Sequence, residues 1–530
     1  MGKAPVIAIG LDGFDPSLAC RWAASGELPT LAGLLAGGTR CRIANPFGLF
    51  VGAVWISFAS ARRPHRTRYH CWDEIVPGSY RWRLNPPRPA LYEPFWHSVA
   101  RAGRRVAAID VPHARARAGG AIELHEWGSH DRHYGLNSVP ADLARRMAGR
   151  FGLHPVLGMD GWRERHFSPD DFHARRGRYR IPAEEARLTR DFCAGAAAKG
   201  EMLRMLWTEE DWDLFLAVFG ESHGAGHQQW HLHDETHRRF DAAARAKAGG
   251  DPLLQVYRTI DTELGRLFAL LPPEATILVH LSHGMTAHHD GTHLVDALLA
   301  RLDAAGRSGK GGLRQGERAV TRALPALRHL AQKLGVPRAL RAAIGQSLRS
   351  AGPRARARSR FFAAPNNSVV GGIRFNLAGR EPAGRVQPDE VAALADELER
   401  DLLALRNVAT GGPVVRAVHR CDEHHPRAPD DTMPDLFIEW ERSAPIETIT
   451  SPKIGLLHLP YTHWRTGDHT SDGLLIARGP GLPAGVEMPA VDVEDIGPSI
   501  AARLGVSLDD RDGQSVGWLS VAPSLAAAIA

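Results

Sequence analysis

The chain has 530 residues, 44% of them hydrophobic and 23% charged, the balance of an ordinary globular protein with room for a large core. No run of about 18 apolar residues occurs, which argues against a membrane span. Five scattered cysteines (Cys20, Cys41, Cys71, Cys193, Cys421) exclude a disulfide framework and read as reduced thiols. The first residues, MGKAPVIAIGLDGFD, lack the pattern of a secretory leader, so a cytoplasmic protein is expected. The net charge of +6 is a local property. Residues 307–360 hold fourteen Lys or Arg against one acidic residue, Glu317, leaving 51 basic and 58 acidic residues elsewhere. Nucleic acid or an anionic surface could meet that stretch, but a solvated Arg-rich helical segment is the favoured reading.

In chain order, strand-like runs fall at residues 6–13, 105–112, 214–221, 276–284, 435–440 and 473–480. Most are short, apolar and rich in β-branched residues, as strands buried on both faces are. Helical patterns lie between them: PSLACRWAASG, LYEPFWHSVARAGR, LLQVYRTIDTELGRLFALL, DEVAALADELERDLLALR and EDIGPSIAARLG. The alternation predicts an α/β fold, a mainly parallel sheet sandwiched by helices, with helical and loop cap insertions. The expected division is a first part of the core at 1–112, a cap insertion at 113–210 and core with metal-ligand motifs at 211–300. A basic helical insert at 301–365 and the C-terminal part of the core at 366–530 complete it.

In such sheets ligands bind beyond the C-terminal strand ends. Asp12 in IAIGLDGFDP, His223 and His227 in ESHGAGH, His283 in VHLSHGM and His469 in GDHTSDG all fall at such ends or in the loops beside them. On a helix, His223 and His227 would share one face and suit a single divalent ion, although the intervening glycines argue against a regular helix. Five histidines crowd residues 280–293. Of these, His288, His289 and His293 read as a substrate-facing or solvated loop, and His280, Glu221 and Arg465 are candidates for substrate binding. Arg465, near His469, could pair with a phosphate or carboxylate.

Several blocks carry a resemblance over most of the length: GLDGFDP, ELPTLAGLLAGG, VWISFAS, RVAAIDVP, VHLSHGM, GGIRFNLAGREP, PDLFIEW, DHTSDGLLIARGPG and DVEDIGPSIAARLG. With them the chain resembles the alkaline phosphatase superfamily, in its type I phosphodiesterase and nucleotide pyrophosphatase branch. The resemblance implies that superfamily's fold and two zinc-like ions about 4 Å apart. One ion is usually held by an aspartate and two histidines, and those positions read His223, His227 and His469. The other is usually held by an aspartate, a nucleophilic Thr or Ser and an Asp-His pair, which here read Asp12, Val51, Ser282 and His283. An aspartate has become His223, another has become Ser282, and the nucleophile has become Val51.

Two close cations with one matching carboxylate, Asp12, would be strongly unfavourable at low effective dielectric. One ion rather than two is therefore expected, with His223, His227, His469, Asp12 and His283 as candidate ligands. Zinc is the first choice, and iron, manganese and cobalt are alternatives. The expected activity is a metal-dependent hydrolase acting on a phosphate ester, diester or related bond. It would use metal-activated water, with Asp12 and His283 as the acid-base pair, in place of a covalent phospho-enzyme. Two alternatives remain open at this point. One is a repurposed single-metal enzyme with lyase or redox chemistry, and the other is a non-catalytic pseudophosphatase. The expected partner is a small anionic substrate; nothing in the residues fixes the oligomeric state.

Overall fold

The computed structural model describes residues 4–157, 182–307, 352–428, 430–461 and 465–520. Most of the basic stretch at 307–360 lies outside the described residues, and with it the reading of nucleic-acid or surface contact. The described chain forms two compact units. The first comprises Met1–His70, Pro86–His288 and Thr462–Ala530; the second comprises Cys71–Asn85 and His289–Tyr461.

The first unit is built on a nine-stranded sheet. Across it run Val486–Asp492, Thr39–Ala44, Gly473–Arg478, Thr276–Leu281, Val6–Leu11, Leu214–Phe219, Val106–Ile109, Ile122–His125 and Asn137–Val139. All pairings are parallel except those of Gly473–Arg478 with its two neighbours and that of Asn137–Val139. The central strand shows why. Ile7, Ile9 and Leu11 enter one apolar cluster and Val6 and Ala8 enter another, so a run apolar at every position is buried on both faces. The first cluster includes Leu18 and Trp22 of helix Pro16–Ala24 and Val256 and Ile260 of helix Pro252–Phe268. The second includes Phe58 of helix Phe50–Ser60 and Ile496 of helix Val493–Arg503. Helix Pro252–Phe268 starts where Asp251 accepts from the Leu253 and Leu254 backbone N–H groups and Pro252 occupies the first turn.

The boundaries differ from the expected ones in two places. Residues 113–210 are not merely a cap, because Ile122–His125 and Asn137–Val139 extend the main sheet. Residues 366–461 do not belong to the core. DLFIEW pairs as Leu436–Trp440 with Val370–Phe375 and Val415–Arg420 in a separate antiparallel sheet, which Phe361–Ala363 completes. That sheet has its own apolar core, containing Leu298, Ile373, Leu398 and Ile438. A short apolar strand reads alike in either setting, since the run does not encode its partner. The polar residues of GGIRFNLAGREP serve structure: Arg380 binds Asp435 at 2.6 Å and Arg374 binds Glu381 at 2.7 Å.

Candidate metal centre

Four chain segments deliver one carboxylate and four imidazoles to the C-terminal edge of the main sheet. Asp12 follows strand Val6–Leu11. Ser282 and His283 follow Thr276–Leu281, and His223 and His227 lie on helix Glu221–His233, which follows Leu214–Phe219. His469 comes from the short strand Gly467–Thr470, which pairs antiparallel with Gly284–Ala287 and sets the rings of His283 and His469 4.3 Å apart. The helix is regular despite its glycines. Its neighbours come too close for side chains: a Cβ on Gly226 would meet Met285 at 2.7 Å. Gly13, at φ +58°, is likewise needed, because a Cβ there would lie 2.8 Å from the Cα of His223.

The rings of His223, His227 and His469 form a near-equilateral triangle, with centroids 4.8, 4.7 and 4.6 Å apart. Three imidazoles sharing one tetrahedral ion, with metal–nitrogen bonds of about 2.0–2.1 Å, place their centroids about 5 Å apart. Hydrogen bonds fix which nitrogens face inward. His227 Nδ1 lies 2.8 Å from the Gly467 carbonyl, which can only accept, so Nδ1 carries the proton. His223 Nδ1 lies 2.6 Å from Asp12 Oδ2. Asp12 is held ionised, well below the usual carboxylate range, by His223 and His283 against the cost of burial, so His223 donates. The two Nε2 atoms, each a lone pair in a neutral ring, then face each other at 3.0 Å. Two lone pairs at that distance repel, and a shared cation resolves the conflict. Nitrogens on one tetrahedral ion are about 3.3 Å apart.

Electrostatics agree with this fit, because ligand imidazoles must be neutral. Burial holds His223 down to about 4. Burial, then Arg465 and the neighbouring rings, holds His227 well below the ordinary histidine range, and burial with the three other rings does so for His469. Donation of the outer ring nitrogen to a carboxylate or carbonyl is how metal-bound histidines are oriented.

Asp12 is engaged at both oxygens, and it also forms with His223 and His283 a group whose ligand atoms lie within 4.8 Å of one another and could hold an ion. One oxygen serves His223; the other accepts from Trp55 Nε1 at 2.8 Å, with Ser282 Oγ at 3.3 Å and His283 Nε2 at 3.4 Å. Ser222 Oγ donates to the Asp12 carbonyl at 2.6 Å. Val51 sits in the first turn of helix Phe50–Ser60, beside Phe50, whose ring edges His283 at 6.3 Å. The hydroxyls of Ser57 and Ser60 bond backbone carbonyls, at 3.0 Å to Arg62 and 2.6 Å to Ile56.

Two substrate-binding expectations are corrected. Glu221, fully buried, is the first residue of the histidine helix and faces Lys199 Nζ at 3.3 Å and His154 Nε2 at 3.2 Å. Lys199 also reaches Asp110 Oδ2 at 3.0 Å and the carbonyls of Gly128 and Val218 at 3.2 and 3.0 Å. This network lies under the centre and anchors it. His280 points to the opposite sheet face by strand alternation, between Trp55 and Phe58, with ring centroids 5.1 and 5.2 Å away. Neither of its nitrogens has a hydrogen-bond partner among the described residues, and burial lowers its pKa to about 3. An unpartnered buried polar group costs about 1–3 kcal/mol, so His280→Leu is expected to stabilise the fold. Between about pH 6.5 and 3 the unfolded wild-type chain takes up a proton that the folded ring refuses. Wild-type stability therefore falls as pH drops through that window, and the advantage of the variant widens. Urea unfolding at pH 8 and pH 5 measures both effects; a variant less stable at both would mean the ring has a polar role.

Arg465 is half-buried, with its charge acting on His227 and Asp468. His288 bonds Asp468 Oδ2 at 2.8 Å, whereas His289 and His293 bond carbonyls of the second unit, those of Arg442 at 3.3 Å and Leu459 at 3.0 Å. Sequence reasoning missed Asp468 and His130. Asp468 is fully buried beside His469, and one of its oxygens lies within 4.8 Å of ring nitrogens of His227 and His469. His130 stacks on His223 at 4.1 Å and 15°. Asp468 was legible as the residue next to a candidate ligand; His130 follows strand Ile122–His125, which is not among the strand-like runs read from the sequence, and so gave no such signal. The carboxylate charge around the centre is thus larger than Asp12 alone.

These features define an α/β protein with a histidine-rich cation cradle at the C-terminal edge of its sheet. The profile of the type I phosphodiesterase / nucleotide pyrophosphatase family matches residues 6–472, and the chain belongs to that family of hydrolases, within the alkaline phosphatase superfamily. Among solved structures it is similar to murine ectonucleotide pyrophosphatase / phosphodiesterase 5, at 12% identity over 97% of this chain and 98% of that one, TM-score 0.47. It is also similar to phosphonoacetate hydrolase from Sinorhizobium meliloti in complex with phosphonoacetate, at 13% identity over 93% and 94%, TM-score 0.48. No curated protein sequence matches the chain. Among the described residues no helix is long and apolar enough to cross a membrane.

Proposed function

We propose that the protein hydrolyses a phosphate ester or diester with one divalent cation, zinc before iron, manganese or cobalt, and without a covalent phospho-enzyme. The observation that carries this reading is the pair of Nε2 lone pairs of His223 and His227 facing each other at 3.0 Å, each ring locked from behind. The His469 ring stands 4.7 and 4.6 Å from theirs, and His469 lies with Asp468 and His227 within ligand reach. A divalent ion held there would polarise a phosphoryl oxygen and lower the pKa of water to about 7. The chain's own residues do the rest. Asp12 orients His223 through one oxygen, and its other oxygen accepts from the Trp55 N–H. Val51 offers no hydroxyl for a covalent step. Arg465, whose charge acts on His227 and Asp468, is our candidate for a phosphate oxygen.

The test is metal analysis of the purified protein, joined to turnover of bis(4-nitrophenyl) phosphate and mass spectrometry during turnover. About one ion per chain, measurable hydrolysis and no phosphorylated protein are expected. Two ions would restore the paired-metal arrangement. One ion without hydrolysis of any phosphate ester would point to the repurposed metalloenzyme, and no ion to the non-catalytic relative.

A further inference from the structure

Beside the cradle lies a second set of titratable groups that the metal reading does not use. His130 Nδ1 bonds Asp131 Oδ1 at 3.1 Å. The other Asp131 oxygen faces His113 Nε2 at 3.6 Å. His113 Nδ1 lies 3.0 Å from His133 Nε2, which also meets the Tyr69 hydroxyl at 3.3 Å. The Asp131 carboxylate, held ionised by His130 and the neighbouring histidines against burial, can only accept, so His130 Nδ1 carries the proton; His113, at 3.6 Å, is a neighbour of Asp131 and not a hydrogen-bond donor to it. His130 is left with its proton on the Asp131 side and a lone pair on Nε2.

A ring nitrogen of His130 lies within 4.8 Å of ring nitrogens of both His223 and His227. That proximity alone would allow a shared ion, but the ring planes do not. His130 lies parallel over His223, so its lone pair runs in a plane offset by the stacking distance and misses an ion in the plane of His223. His227 and His469 stand at 49° and 82° to His223 and suffer no such offset. The His130 and Asp131 side chains are also 10% and 24% exposed, whereas those of His283 and His469 are 1% and 2% exposed. The pair stands where a substrate could reach it.

We propose that His130 and Asp131 form a catalytic dyad, in which Asp131 positions His130 so that Nε2 accepts the proton of the attacking water. The proposal rests on the hydrolytic reading above. In the step, the water oxygen bonds to phosphorus as the phosphorus–oxygen bond to the leaving group breaks. The water proton goes to His130 Nε2, and the leaving alkoxide takes a proton from solvent, to which His130 later returns its own. The arrangement follows the hydrogen-bond logic of a carboxylate–histidine pair, and it supplies water activation in a chain whose nucleophile position is Val51.

The test uses the metal-loaded full chain with bis(4-nitrophenyl) phosphate, together with nitrogen-15 NMR of the imidazoles. His130→Ala is expected to lower kcat about 100-fold or more, to keep the wild-type metal content, and to be partly rescued by added imidazole. NMR is expected to show His130 as the Nδ1–H tautomer, and Asp131→Asn to shift it toward Nε2–H. Loss of the ion from His130→Ala would make His130 a ligand and overturn the dyad. An unchanged kcat, or a wild-type His130 protonated at Nε2 in an active enzyme, would also overturn it. A wild type that turns over no ester yet shows the Nδ1–H tautomer overturns the hydrolytic reading and leaves the hydrogen-bonded pair standing.

Discussion

Replacing His227 with alanine is expected to weaken binding of the divalent ion by well over 100-fold and to abolish turnover, with the fold intact. Groups that hydrogen-bond a metal ligand from behind, as Asp12 does His223, typically carry about 10–100-fold in affinity, so Asp12→Asn is expected in that range and loss of a ligand beyond it. His227 lies on a helix that Gly226 brings close to Met285, and its removal should leave circular dichroism unchanged. It removes the contact between facing lone pairs at 3.0 Å but also the bond to the Gly467 carbonyl and a fully buried ring. The metal-free variant is therefore expected to lose no more than about 1–3 kcal/mol against the metal-free wild type. Metal titration followed by calorimetry, beside urea unfolding of both metal-free proteins, checks the two halves. Wild-type affinity in His227→Ala would remove this residue from the centre, and a large loss of metal-free stability would make it a structural histidine.

Lys199→Ala is expected to cost about 3–5 kcal/mol of stability, the range for breaking a buried ion pair from one side. Lys199, 1% exposed, stands between Asp110 and Glu221 and holds two backbone carbonyls. Its pKa is raised and that of Glu221 lowered, each by the other's charge against the cost of burial. Without the ammonium, two carboxylates remain in a site that water does not reach. Asp110 sits at φ +55° and its carboxylate accepts the N–H groups of Trp127 and Gly128 at 2.8 and 2.7 Å. The loop carrying His130 should loosen with it. Urea denaturation of Lys199→Ala measures the loss, and Lys199→Ala with Glu221→Gln should lose less than the sum of the single changes, since the groups share one network. A loss below about 1 kcal/mol, the level of an exposed pair, would mean the network is solvated.

Much of the main sheet was legible in the residues because its central strands are apolar at every position and end in polar loops. Strands 6–13, 105–112, 214–221, 276–284 and 473–480 all enter it. Thr39–Ala44 was missed because it alternates buried and exposed residues, with Arg40 and Arg42 on the outer face, a half-buried pattern among fully buried ones. Helix Phe50–Ser60 is absent from the helical patterns read from the sequence because ten of its eleven residues are buried, which erases the 3.6-residue stripe. Asp12, His223, His227, His283 and His469 do come together, because each follows or flanks a strand that ends at one edge of the sheet. The misplacement of Glu221 and His280 has one cause. Proximity in sequence to a ligand says nothing about which side of the strand or helix a side chain leaves from, and both leave away from the centre.

The antiparallel strand Gly473–Arg478 lies inside the sheet, between Thr39–Ala44 and Thr276–Leu281, and His469 is carried just ahead of it. During synthesis Thr39–Ala44 and Thr276–Leu281 must wait for a segment made much later in the chain. Until it inserts, a nascent chain on the ribosome carries an incomplete cradle and two unpaired strand edges. Loading of the ion is thus a late event, and such long-range pairing is slow to form. The interval in which an unloaded, open-edged intermediate could be captured by chaperones is correspondingly long.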